Sequence, residues 1–292
     1  MRRIRLNPEI MRLKPGLLRS LAKLSLILAA LVLVSCSPER RLAKQFMQNR
    51  EPAAIMLLPP DFVYKVSYKL PDSAVLADVP DYLTDSLLLA NTDVIRFVDD
   101  SIYISAFVSG FSSALRQTGY KVFSPEQSGE FLALGQKALI INIAQAELEE
   151  YFDSIGEKAQ FGDEDLYSYE FFITSVNLNF WFEMSGMNHN DSLMRVLFSQ
   201  QVISDRVDGG FRYFPFTGDV KYIYSVDSID ARDLYFAATK AGELNATYLN
   251  DYLLNRYIQN KLPANHPAQK AYTYDRVSGT LKKLKVWGLT EM

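Results

Sequence analysis

Residues 101–143, SIYISAFVSGFSSALRQTGYKVFSPEQSGEFLALGQKALIINI, decide the fold. Ile104, Phe107, Val108, Phe111 and Leu115 recur at helical spacing, which predicts an amphipathic helix over 101–118. Gly119 supplies a left-handed stop, and Tyr120–Phe123 reads as a short strand. Ser124-Pro125-Glu126-Gln127 offers an N-cap serine, a proline in the first turn and a glutamine three residues after the cap. A helix over 125–134 follows, then an apolar strand from Ala138 to Ile143. Strand, capped helix and strand within about 25 residues make a tight βαβ unit, expected to be parallel and right-handed.

Upstream, Ala53–Leu58 is an apolar run closed by Pro59-Pro60, the pattern of a strand covered on both sides. Phe62, Tyr64, Val66 and Tyr68 alternate along a second, more exposed strand. Residues 71–93 form a connection with room for one short helix. Downstream, Tyr169–Met184 and Leu193–Ile203 alternate on either side of the turn-forming segment 188–192, which predicts a long antiparallel hairpin with one wet face. Asp208-Gly209-Gly210 reads as a turn and Asp219–Tyr224 as a short strand. Asp230 caps a helix running to about 260, with small residues at its start that allow close approach to a sheet. The fold class is α+β (or α/β): a small, partly parallel sheet with packed helices, a long antiparallel hairpin and a long C-terminal helix. The globular domain spans 53–262. Residues 263–292 are basic and poor in apolar groups, and read as an edge ribbon or a loose tail.

The 292-residue chain is 48% hydrophobic and 22% charged, which excludes a disordered or low-complexity chain. Two His and one Cys exclude a disulfide scaffold and leave too few ligands for an ordinary protein zinc site.

The amino terminus sets the destination. Seven Lys and Arg against one acid precede an eleven-residue apolar run, Leu24–Val34. A membrane-spanning helix needs about 20 apolar residues, so the layout is that of a secretory signal peptide, with Met11 as an alternative start. The run ends in Leu33-Val34-Ser35-Cys36, which resembles the lipobox of bacterial lipoproteins. The resemblance covers the first 36 residues or so. It implies removal of residues 1–35, a diacylglycerol thioether on Cys36 and acylation of the new amino terminus, with residues 36–52 as a lipidated start and spacer. Stable anchoring takes two or more acyl chains, each buried methylene contributing about 0.8 kcal/mol. Ser37 follows the Cys where inner-membrane lipoproteins carry Asp, so the resemblance implies the outer membrane, on its periplasmic side. An apolar strand ending in Pro-Pro before a βαβ unit also looks like the α/β domains of some envelope-assembly lipoproteins, at the level of pattern alone.

Without residues 1–35 the chain keeps 24 bases and 33 acids, a net charge of −9. An acidic body is a poor partner for nucleic acid or anionic lipid, so membrane contact is expected through the lipid.

Candidate chemistry is sparse. Glu147, Glu149, Glu150 and Asp153, followed by Asp163, Glu164 and Asp165, could form a calcium site or a paired-carboxylate centre. The spacing lacks an Asp-x-Asp-x-Asp-Gly loop, and a solvated strand end and loop is the plainer reading. His189 and His266 sit in turn-rich contexts without metal or triad companions. Tyr167, Tyr169, Phe171, Phe172, Phe180, Trp181, Phe182, Phe211, Tyr213, Phe214 and Phe216 could line a glycan or peptide groove, or simply pack. Phe211–Phe216 is expected to be a loop. No cofactor, metal or catalytic constellation is expected. The functional expectation is a non-enzymatic binding or assembly factor of the envelope with a protein partner. The alternative is an envelope hydrolase or glycan-binding enzyme using the acidic 147–165 segment.

Overall fold

The computed structural model describes residues 38–49, 53–69, 80–134, 138–186, 194–263, 271–275, 278 and 280–292. The chain is α+β, built on a mixed sheet backed by two long helices. The apolar run forms β1 (Ala54–Leu58), which pairs in parallel with β3 (Lys121–Phe123) on one side and β4 (Ala138–Phe161) on the other. The parallel βαβ unit therefore has β1 between its two strands. A strand with no polar face is driven to the sheet interior, and the three-residue β3 takes the edge. β2 (Tyr64–Ser67) runs parallel to the middle of β4 beyond Pro59-Pro60.

The central helix, α3 (Asp100–Thr118), follows the short α2 (Asp81–Ala90). The Asp99 side chain caps it by accepting from the Ile102 N–H at 3.0 Å, and Gly119 ends it at φ 88°. Its buried stripe of Tyr103, Phe107, Phe111 and Leu115 lies on the sheet. The Phe107 ring stacks 4.1 Å from Phe180, and Phe111 lies 5.8 Å from Phe182. The Ser124 capping box is present, but the predicted helix is short: a 3-10 turn at Pro125–Gln127 leads into α4 (Ser128–Leu132), whose Phe131 covers the opposite sheet face at β1.

The long helix α5 (Ala231–Lys261) starts at an Asp230 capping box. Its small residues, expected to approach a sheet, meet α3. A Cβ added to Gly110 would lie 2.2 Å from the Thr239 carbonyl oxygen, and one added to Gly242 would lie 2.2 Å from that of Phe107. The two helices cross backbone to backbone.

Residues 37–49, expected as a short polar helix or spacer with little buried, hold a helix that docks on the body. In α1 (Pro38–Asn49), Ala43 and Phe46 are buried, with the Phe46 ring 5.6 Å from that of Tyr257 on α5. The C-terminal segment is likewise tied down. β9 (Tyr272–Asp275) and β10 (Thr280–Lys283) form a hairpin. Asn255 of α5 holds the Tyr272 backbone through two 2.7 Å hydrogen bonds, donating to its carbonyl and accepting from its N–H. The Tyr272 hydroxyl then donates to Glu39 of α1 at 3.3 Å. Gly288 lies against the Tyr248 ring, 2.3 Å from where its Cβ would sit. β11 (Thr290–Glu291) adds to the sheet edge. Among the described residues no helix is long and apolar enough to cross a membrane.

The largest departure from expectation is the length of β4. It runs on through the acidic stretch to Phe161, turns at Gly162-Asp163 and returns as β5 (Glu164–Gly186). Only 175–184 of β5 pairs with β6 (Arg195–Ser204); the rest is a two-stranded ribbon reaching past the helices. A second ribbon, β7 (Arg206–Phe214) and β8 (Asp219–Asp227), lies beside it. Asp208-Gly209-Gly210 is thus strand, not turn. Gly209 is required there because a Cβ would meet Tyr224 Cβ at 2.7 Å and the Tyr222 hydroxyl at 2.9 Å. Asp205 fixes the root of this arm: its carboxylate accepts from the Thr174 N–H at 2.8 Å and the Ile229 N–H at 2.9 Å.

Candidate functional site

The pleat divides the acidic stretch between two faces. Glu150 is on the helix side and fully buried. Its carboxylate accepts from the N–H groups of Asp93, Val94 and Ile95 at 2.6, 3.0 and 3.0 Å, and pairs with Lys69 Nζ at 2.7 Å. Lys69 also meets Asp93 at 2.5 Å and donates to Thr174 Oγ1 at 2.9 Å. Glu150 is therefore a structural anchor and not a solvated strand end. Every donor around it is matched by an acceptor, which a buried charge requires.

Glu147 and Glu149 are on the face turned away from α3 and α5. Glu147 accepts from Gln145 at 2.8 Å and Asn179 at 3.2 Å; Glu149 accepts from Asn177 at 3.0 Å. Partial burial, and then the charge of Glu149 beside it, push the Glu147 carboxyl above its ordinary value. Asp163, Glu164 and Asp165 lie at the far end of the ribbon. Sixteen residues of extended chain separate Glu147 from Asp163, roughly 50 Å at 3.3 Å per residue, so the two groups cannot act as one site. At that tip Asp165 pairs with Lys158 at 2.5 Å, and hydrogen bonds from Lys158 and Gln160 hold its carboxyl below the usual range. Among the described residues no group of three or more His, Cys, Asp or Glu is placed to hold a metal ion. Cys36, His189 and His266 lie outside the described residues.

The aromatic residues split into two sets. Phe180 and Phe182 are core. On the arm, Tyr167, Tyr169 and Phe171 face Phe211, Tyr222 and Tyr224 across the two ribbons. Ring separations include 5.0 Å for Tyr169–Tyr222 and 5.3 Å for Phe171–Tyr224. This aromatic layer is the only core the arm has among the described residues, and it leaves much apolar surface in solvent. Phe172 is 70% exposed, Tyr213 64%, and Phe216, in the β7–β8 turn, is completely exposed. The expected loop over Phe211–Phe216 is strand to Phe214 and turn beyond it.

A cavity of about 470 Å³ lies between the C-terminal half of α5, β6 and the C-terminal segment. Arg195 of β6, Tyr252 and Arg256 of α5, and Trp287 and Glu291 of the tail converge on it. The Tyr252 hydroxyl is the hub. It donates to Glu291 at 3.1 Å and is approached by Arg256 at 3.4 Å and Arg195 at 3.5 Å. Arg195 also pairs directly with Glu291. Sequence reading missed this site because its parts are scattered from 195 to 291. The one local hint was Trp287-Gly288-Leu289, an apolar patch in an otherwise polar tail.

No family model matches the chain, and no curated protein does. Among solved structures, it is similar to a Helicobacter pylori protein described as a homologue of neuraminyllactose-binding hemagglutinin. That match has 12% identity and a TM-score of 0.27, and covers 72% of this chain and 93% of that one.

Proposed function

We propose that this chain is a lipid-anchored protein of the cell envelope, attached through Cys36 to the outer membrane on its periplasmic side. It acts there as a non-enzymatic binding or assembly factor, and meets a protein partner through its arm. The exposed aromatics of the arm carry the reading. Phe172, Tyr213 and Phe216 are in solvent on an element that the helix-backed sheet does not need. Large apolar side chains left in solvent mark contact sites, and aromatic side chains are enriched at the centres of such sites. The docking of α1 supports a short tether. Cys36 lies two residues before Pro38, so extended chain allows about 7 Å between lipid and body.

Two measurements test this. Cys36→Ser should move the protein from the membrane to the soluble fraction; retention in the membrane refutes the anchor. A photo-crosslinking residue at Phe216 should give a discrete adduct in cells that the same residue at Arg116, exposed on α3, does not. Equal labelling refutes the arm as the contact surface.

A second reading, an envelope hydrolase or glycan-binding enzyme, is favoured by the raised Glu147 carboxyl beside Glu149 on an uncovered sheet face. It requires Glu147→Gln to abolish release of fragments from purified cell wall. Unchanged release removes it.

A further inference from the structure

We propose that the cavity between α5 and β11 binds a small organic carboxylate of the size and polarity of a sugar acid. The proposal is independent of the lipid anchor and of the arm.

The argument begins with charge. Among the described side chains that line it, two are cationic, Arg195 and Arg256, and one is anionic, Glu291, so the lining has one positive charge left over. Glu291 is already engaged by Arg195 and by the Tyr252 hydroxyl. Arg256 makes one long contact, 3.4 Å to that hydroxyl, and no ion pair among the described residues. A guanidinium presents five donors in a planar fork that fits a carboxylate bidentately, so most of this fork is available to a ligand. A surplus of one charge suits a carboxylate better than a phosphate monoester, which carries nearly two.

The remaining wall is mixed in the way small-molecule sites are. Trp287 is 45% exposed and offers an apolar plate on which a ring can lie. The amide of Gln259 supplies both donor and acceptor for hydroxyl groups. The volume of about 470 Å³ falls within the range of such pockets. The walls are also held in place. Tyr252 is nearly buried under its three polar neighbours, Leu289 is buried, and β11 is hydrogen-bonded to β6, where the Met292 N–H donates to the Val196 carbonyl at 3.0 Å. A site whose walls are already ordered loses less entropy on binding.

The chain has two tryptophans, Trp181 and Trp287, so in a Trp181→Phe background emission reports the cavity alone. D-glucuronate titrated into the full chain should give a saturable change in Trp287 fluorescence, and D-glucose, its neutral counterpart, should give none. Arg256→Gln should weaken glucuronate binding by about tenfold or more, the effect of losing a charge-assisted pair. If that variant fails to fold, as judged by circular dichroism, Gln259→Glu takes its place; the added negative charge should abolish the response. The proposal is overturned by the absence of a saturable change at millimolar glucuronate. It is equally overturned by an equal response to glucose, by tighter binding of inorganic phosphate, or by undiminished binding in the folded variant.

Discussion

Gly242→Ala tests the helix crossing on which the body rests, because two opposing effects of known size meet there. In a helix interior, replacing Gly by Ala stabilises by about 1 kcal/mol. At Gly242 the new Cβ would lie 2.2 Å from the Phe107 carbonyl oxygen and 2.6 Å from the Phe111 nitrogen, against the 3.4 Å at which ordinary contact begins. The shortfall is about 1.2 Å. The atoms in the way are backbone, so no rotamer change relieves them and α3 and α5 must part. Separation loosens the stack of Phe107 and Phe111 on Phe180 and Phe182. Overpacking of this kind costs about 1–3 kcal/mol, and the upper end applies where backbone must move. The net expectation is a loss of about 2 kcal/mol, or roughly 4–8 °C in Tm for a body of this size. Urea unfolding of purified protein, with the m-value checked, measures it. Gly129→Ala in α4 is the control, since nothing lies within 4 Å of its would-be Cβ; it should be neutral or slightly stabilising. If both substitutions stabilise alike, the close approach of the helices is wrong.

Lys69→Met should be severe: it leaves the buried Glu150 carboxylate without its cation, a loss of about 3–5 kcal/mol in the same unfolding assay, and a loss below about 1 kcal/mol would refute the anchor. Tyr222→Ala removes a ring that touches Tyr169, Phe171, Phe211 and Tyr224. Amide exchange should speed up in β7 and β8 and stay unchanged in α3 and α5; a uniform rise would show that the arm and body unfold as one unit. Glu147→Gln concerns pH. A carboxyl raised in the folded state binds its proton more tightly there than in the unfolded chain, so folding weakens as pH rises past the ordinary value of 4.5. The variant should therefore melt at an equal or higher temperature than the parent at neutral pH, and lose part of the downward slope above about pH 4.5. A steeper slope in the variant would contradict the sign.

Local signals were enough for the two long helices and for β1, β3 and the start of β4. Gly119, Ser124 and Asp230 act on the backbone within four residues of themselves, so their caps were legible without knowledge of any neighbour, whereas the Asp99 cap emerged only with the structure. The same holds for β1, whose unbroken apolar run announces burial on both faces. The arm was harder to read. Residues 144–161 are polar because most of that strand lies beyond the helices, so alternation carries little amplitude there and the stretch resembled a loop. Gly162-Asp163 was the available signal, a two-residue turn between strands. Gly209 misled for a related reason: it is small to make room for tyrosines on the opposite strand, not to turn the chain. The α5–β11 cavity was not legible beyond the apolar Trp287-Gly288-Leu289 in its polar tail. Arg195, Tyr252, Arg256 and Glu291 converge because a two-residue strand at the chain end pairs with β6 and a glycine lies flat on Tyr248. Those contacts join residues from 40 to 94 positions apart, and their free energy depends on surfaces that exist only once the chain has folded.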